Sequence, residues 1–407
     1  MGSSHQDAQR SRPETPTGRG RLAGLDGIRG VAALFVMLHH CWLMAFPGFP
    51  ASTGPAWLGF LLYGHFAVVV FIVLSGFSLA VSPARSGWQL GSLRRFARRR
   101  AWRILPPYWA ALVFSLVIAW TLAAQPGEGV PTAKSVLVYG LLVQDLFGAP
   151  SPNGAFWSIA VEAQLYLVFP LMLILLRRAG AVVMLAAVTA VVAVIGLLAP
   201  SVHVVSMLLR LTPQFAVLFA IGVVAAGVLS AGDRVRRLPW QWFALAAVLP
   251  VLAVILVRGS EWTVGNFFWM DIALGPAVGL TLAAIATGRA KVLIRLLDLR
   301  PIRGLGSFSY TLYLIHAPIV VTVFLLVVAP RVSTGLPAFL LGTALSVPLA
   351  LVVARLFAAV FELPFQRHRS WPELRRAVRA RLSRSLVERS TAPVPVEAPV
   401  EAPAEGR

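Results

Sequence analysis

Arg29 and His40 lie eleven residues apart in one apolar stretch, 28–47. Eleven helical steps of about 100° return to within about 20° of the starting face and climb about 16 Å. One side of a single helix therefore carries a guanidinium near its mouth and an imidazole far inside. A histidine kept neutral by loss of water can take a proton or carry a transferred group. A guanidinium offers a planar fork to phosphate. The neighbouring His39 points about 100° away and reads as a histidine bonded to a carbonyl of another helix.

Three further strings place polar groups where lipid would exclude them. RRFARRRAWRILPPYW sets Arg100 and Arg103 three apart, on one face, next to Pro106 and Pro107, which are expected to begin a helix. Arg94, Arg95, Arg98 and Arg99 read as ordinary anchors that snorkel to the membrane surface; Arg100 and Arg103, fixed beside the prolines, read as forks suited to phosphate. FWSIAVEAQLYLVFP carries Glu162 and Tyr166 four apart, with Gln164 between them, and a buried carboxylate there needs a partner. SYTLYLIHAP carries Tyr313 and His316 three apart at mid-membrane depth. Glu362, in FELPFQRHR, is expected to pair with the arginines of the third helix in a structural role. The only cysteine, Cys41, excludes an internal disulfide or a multi-cysteine metal site, and no metal is expected.

The elements that hold these groups are read from hydropathy. Apolar residues make up 58% of the chain, above the roughly 45–50% of soluble domains, and only 13% are charged, too few to cover a soluble globule of 407 residues. Runs long enough to cross about 30 Å of hydrocarbon occur near 28–47, 57–81, 104–124, 156–176, 181–199, 204–230, 241–257, 266–287, 305–328 and 335–361. The shorter run at 135–147, with Gln144 and Asp145, is expected to lie at the interface or re-enter. The fold class is thus an all-α polytopic membrane protein of about ten transmembrane helices. With both termini cytosolic, thirty of the 36 basic residues fall in inside segments, against Lys134, Arg258 and Arg331 outside, as the positive-inside rule requires. That pattern explains the net charge of +20 and leaves no concentrated patch for nucleic acid. Residues 1–21 read as a disordered cytosolic tail, 22–366 as the membrane domain, and 367–407 as a tail first basic, then rich in Pro, Ala and Glu.

Taken alone, these residues fit two functions. One is a transfer enzyme; the other is a transporter or flippase in which His40, Glu162, Asp271, Arg210 and His316 form a path. Against the second stands the lack of an obvious internal repeat or a matched pair of broken helices.

In order along the chain, LDGIRG with Arg29 and His40, GHFAVVVFIVLSGF (64–77), RRRAWRILP, FWSIAVEAQLYLVFP, SYTLYLIHAP and FELP make a series. Over about residues 22 to 366 it resembles the acyltransferase 3 family of bacterial integral membrane O-acyltransferases. The resemblance implies that an acyl group, acetyl being the commonest, passes from cytosolic acyl-CoA to a hydroxyl of a sugar-containing acceptor, an envelope glycan or a secondary-metabolite sugar. It implies activity tied to Arg29 and His40, with His40 as base or acyl carrier, and a donor mouth at Arg100 and Arg103. It leaves Glu162, Tyr166, Tyr313 and His316 as substrate-contacting or structural polar groups. The membrane implied is the bacterial inner membrane; the acceptor, chain length and oligomeric state stay open. Relatives often carry an acid where this chain has Val69, and a glutamate or bulky residue at Ala163, so His40 is expected to lack a partner on the second helix.

Overall fold

The computed structural model describes residues 22–368 and 370–390, and among them every regular element is helical. The two tails expected at 1–21 and beyond 390 lie outside the described residues. Eight helices are long and apolar enough to cross a membrane, and a ninth crossing is the bent pair His203–Leu211 and Gln214–Leu229, broken by 48°. The tenth is inside the helix Trp157–Leu198, whose 42 residues would measure about 63 Å, twice the hydrocarbon core. Gly180, at φ 89 and ψ 167, breaks it just after Arg177 and Arg178. The spans are then, in order, Leu25–Ala45, His65–Ala84, Leu93–Thr121, the two halves of Trp157–Leu198, the bent pair, Trp240–Gly265, Phe267–Ala286, Ser309–Val328 and Leu336–Phe361. They are numbered first to tenth below. Large apolar side chains such as Leu167, Val182, Leu256 and Val257 stand exposed on the outside, a surface suited to lipid rather than water.

One expectation about the spans is corrected in detail. The third span does not start at the prolines. Ser92 accepts a bond from the Arg95 amide at 3.3 Å, a serine cap of the usual kind, so the helix begins at Leu93 and Pro106 and Pro107 lie inside it. All six arginines from Arg94 to Arg103 are therefore helical. The run at 135–147 forms two short helices, Ala133–Gly140 and Gln144–Phe147, too short to cross. The basic segment after the tenth span also contains a helix, Trp371–Ser390. It is tied to the third span through Trp102, whose indole donates to the His368 carbonyl at 2.7 Å and lies 6.2 Å from the Trp371 ring.

Close approach explains several motif glycines. A Cβ on Gly27 would stand 2.1 Å from the Leu297 carbonyl oxygen, and one on Gly306 would stand 2.0 Å from that of Asp26. The LDGIRG turn can therefore lie directly against the segment that enters the ninth span. The second and sixth spans meet in the same way: a Cβ on Gly76 would be 2.2 Å from the Phe219 oxygen, and one on Gly222 2.0 Å from that of Val73. Small residues at such crossings let backbones touch where lipid supplies no hydrophobic drive.

Candidate active site within the bundle

A cavity of about 340 Å³ opens among the first, second, third, fourth and ninth spans, within the size range of small-molecule sites. Arg29, Arg100 and Arg103 all line it, together with Glu162, Tyr166, Tyr313 and Glu362. Residues that sequence spacing placed on separate helices thus converge on one space. Arg29 is held by Asp26 at 3.1 Å and donates to Ser78 at 2.8 Å. Arg100 and Arg103 form no salt bridge among the described residues, and the Nε of Arg100 is buried without a partner. A buried guanidinium donor without a partner is costly.

The two glutamates of the cavity are occupied by hydroxyls and amides. Glu162 accepts from Ser75 at 2.6 Å and from Tyr166 at 2.5 Å; the serine belongs to the LSGF string of the second span. Glu362 accepts from the Thr311 amide at 3.1 Å, the Thr311 hydroxyl at 2.6 Å and Gln366 at 2.7 Å. The arginine pairing expected for Glu362 is replaced by bonds to the first turn of the ninth span, where unpaired amides are available. No salt bridge joins Glu362 to either arginine fork among the described residues.

Among the lining residues is Tyr313, whose hydroxyl lies 2.6 Å from that of Ser158 and whose ring packs edge-on to Phe71 at 5.4 Å. His40 is not among the lining residues; it packs against His316 with ring centres 4.8 Å apart, and the His316 ring in turn lies 5.7 Å from that of Tyr313. The Nε2 of His316 is 3.2 Å from Nδ1 of His40, which is also 2.9 Å from the Val36 carbonyl. The partner that the second span does not provide at Val69 therefore comes from the ninth. His39 points elsewhere and bonds the Leu61 carbonyl at 2.8 Å. Arg29, about 16 Å down the same helix from His40, belongs to the mouth and not to the histidine pair.

A proline shapes this region. Pro318 lies inside the ninth span and has no amide to offer the carbonyl four residues earlier. That carbonyl, Leu314 O, accepts instead from the side chain of Asn153 at 2.7 Å, and Asn153 also donates to Ser115 at 3.1 Å. The loop before the fourth span thereby pins the turn that carries His316.

Sequence reading named Asp271 but missed His65 and Gln214, which join it in a second polar cluster. His65 lies 2.9 and 3.0 Å from the two oxygens of Asp271, and Gln214 donates to the same carboxylate at 3.3 Å. His65 is stacked on Phe267 at 4.1 Å. The cluster ties the second, sixth and eighth spans together, and Asp271 is fully buried in it. The signal was a single histidine at the start of a span; its partner is 206 residues away. Arg210 lies near Gly148, away from the histidine pair. No group of three His, Cys, Asp or Glu among the described residues could hold a metal ion.

Comparison with known proteins gives the family. A family model described as an acyltransferase domain matches residues 22–355. The acyltransferase MdmB of Streptomyces mycarofaciens is 27% identical over 315 residues, 73% of this chain and 78% of that protein. The peptidoglycan O-acetyltransferase OatA of Listeria monocytogenes is 24% identical over 331 residues, and the O-acetyltransferase OatA of Staphylococcus aureus 25% over 345. Each of these covers 74% of this chain but only 49% and 51% of the relative, so the chain spans about half the length of those two enzymes. No solved structure matches it. Since the family match takes in residues 22–355 of 407, the chain belongs to the acyltransferase 3 family and is a membrane O-acyltransferase.

Proposed function

We propose that this enzyme takes an acyl group, acetyl in the simplest case, from cytosolic acyl-CoA and places it on a hydroxyl of a sugar-containing acceptor at a bacterial inner membrane. The observation that carries the reading is the cavity mouth: Arg100 and Arg103 stand without carboxylate partners, one with a buried donor unanswered. Coenzyme A brings several phosphates, which such forks bind in pairs. Arg29, already held by Asp26 and Ser78, completes that mouth. The pantetheine arm then runs inward past Glu162 and Tyr166 toward Tyr313. To reach His40 the thioester displaces the Tyr313 side chain from Ser158.

His40 acts as the base. Its Nε2 takes the proton of the acceptor hydroxyl, the oxygen attacks the thioester carbonyl, the C–S bond breaks, and the proton returns to the leaving thiolate. The likeness to O-acetyltransferases, one of them acting on peptidoglycan, supports an acetyl group and a glycan acceptor. The transporter alternative gives way to the family assignment.

The test is donor use by charge-retaining variants. Arg100→Lys and Arg103→Lys keep the charge and lose the fork, and each is expected to raise the KM for acetyl-CoA by about tenfold or more, the scale of one charge-assisted hydrogen bond. Arg94→Lys, outside the cavity, should change it by less than about twofold. Equal tolerance at all three positions would return Arg100 and Arg103 to membrane anchoring and remove the support for a phosphate-bearing donor.

A further inference from the structure

His40 and His316 come from spans 276 residues apart in sequence, and their contacts determine which nitrogen carries each proton. A backbone carbonyl only accepts, so a ring nitrogen within bonding distance of one bears a hydrogen. Nδ1 of His316 is 2.8 Å from the Tyr313 carbonyl and 3.2 Å from that of Leu312; it is the donor. A neutral imidazole has one N–H, so Nε2 of His316 holds a lone pair. That lone pair faces Nδ1 of His40, which the Val36 carbonyl independently marks as a donor at 2.9 Å. The two assignments agree: one N–H of His40 is shared between Val36 and His316. The remaining nitrogen of His40, Nε2, is then the free base.

We infer that His316 is a positioning residue: its Nε2 accepts from Nδ1 of His40 and holds His40 in the tautomer that presents the Nε2 lone pair to the substrate. This rests on His40 being the base, as proposed above. The arrangement serves the same end as a carboxylate behind a catalytic histidine, with a neutral group in the acceptor role. When Nε2 of His40 takes the hydroxyl proton, the ring becomes cationic and its Nδ1–H bond to His316 strengthens, since bonds to charged donors are the stronger kind. The proton on Nδ1 does not need to move. A merely structural histidine in this position would need only its bonds to Tyr313 and Leu312, and the second nitrogen would be free to face an apolar neighbour.

Asparagine and glutamine separate these roles, because the amide of asparagine can reproduce Nδ1 of histidine and that of glutamine Nε2. His316→Asn keeps a donor toward Tyr313 and loses the acceptor toward His40; His316→Gln keeps an acceptor there. Purified variants in lipid nanodiscs are assayed for acetyl-CoA turnover with an acceptor present, alongside thermal unfolding. For His316→Asn, kcat should fall between about tenfold and a hundredfold, the scale of one hydrogen bond to a charge formed in the transition state, while the donor KM stays within about twofold. His316→Gln should recover at least part of that loss. Wild-type kcat in His316→Asn, with His40→Ala inactive, overturns the positioning role and leaves the base in place. Wild-type activity in His40→Ala overturns the base reading itself. Nitrogen-15 spectra of histidine-labelled enzyme give a readout independent of stability: the His40 signal, identified by its loss in His40→Ala, should be that of the neutral Nδ1–H tautomer. An Nε2–H signal there refutes the inference even if both His316 variants fail to fold.

Discussion

Replacing His39 and His40 by alanine, one at a time, should separate a structural histidine from a chemical one at adjacent positions. His40 bonds the carbonyl of Val36 on its own helix and meets His316 across the bundle, so its removal leaves that helix intact but strips the His316 acceptor of its donor, a cost of about 1–3 kcal/mol of stability. If it is the base, turnover should fall by about two to four orders of magnitude, or roughly 2.7 to 5.4 kcal/mol of barrier. His39 is the reverse case. It bonds Leu61 across to the 3-10 helix Ala56–Tyr63, and its ring packs edge-on to Phe49 at 6.4 Å. It also fills the space over Gly64, where an added Cβ would come within 2.3 Å of the imidazole. Alanine there removes a bond of about 1 kcal/mol and leaves a hole, for a total of about 2–4 kcal/mol. The measurements are thiol release from acetyl-CoA in the presence of acceptor, normalised to folded protein, and the thermal midpoint in detergent. His39→Ala should melt early yet keep most of its turnover per folded molecule. A His40→Ala enzyme within about threefold of wild type, or a His39→Ala protein that melts like its parent, would show that the face of the first span has been drawn wrongly.

Two further outcomes test the frame around the site. Gly222→Val should sharply lower the folded yield, because its Cβ meets the Val73 carbonyl at 2.0 Å with no side chain able to give way, whereas Gly140→Ala, with nothing within 4 Å, should be neutral in yield and thermal midpoint. Asp145, outside the spans and bonded to Gln164 at 3.3 Å, has its carboxyl pushed up to about 6 by burial. The folded protein then holds this proton more tightly than the unfolded chain, so stability should decline as pH rises from about 4 through 6; Asp145→Asn should flatten that part of the midpoint-versus-pH curve, and an unchanged curve would refute the assignment.

Much of the site was legible because membrane chemistry makes its members conspicuous. An arginine, histidine or glutamate on a spanning helix needs a reason, so Arg29, His40, Arg100, Arg103, Glu162, Tyr166, Tyr313 and His316 could each be picked out one by one. Helical geometry put Arg29 and His40 on one face and sent His39 elsewhere, and it did so without knowledge of neighbours. Local reading failed where a short-range signal was misweighted. Pro106 and Pro107 looked like a helix start, but Ser92 supplies the cap and the prolines are carried inside the helix.

What no single segment could reveal is pairing across the bundle. Val69, in place of an acid, suggested a His40 without a partner on the second span; the ninth span supplies one instead. Glu362 looked destined for the arginines, but the free amide and hydroxyl of Thr311 lie closer to it than any guanidinium. The two differences belong together. With Glu162 and Glu362 satisfied by hydroxyls and amides, Arg100 and Arg103 line the cavity without a salt bridge to either, while the histidine pair lies outside the cavity lining. On the proposed function, donor phosphates bind at the arginines while the chemistry takes place at His40, and the contact between Tyr313 and Ser158 must open for the thioester to pass from one to the other.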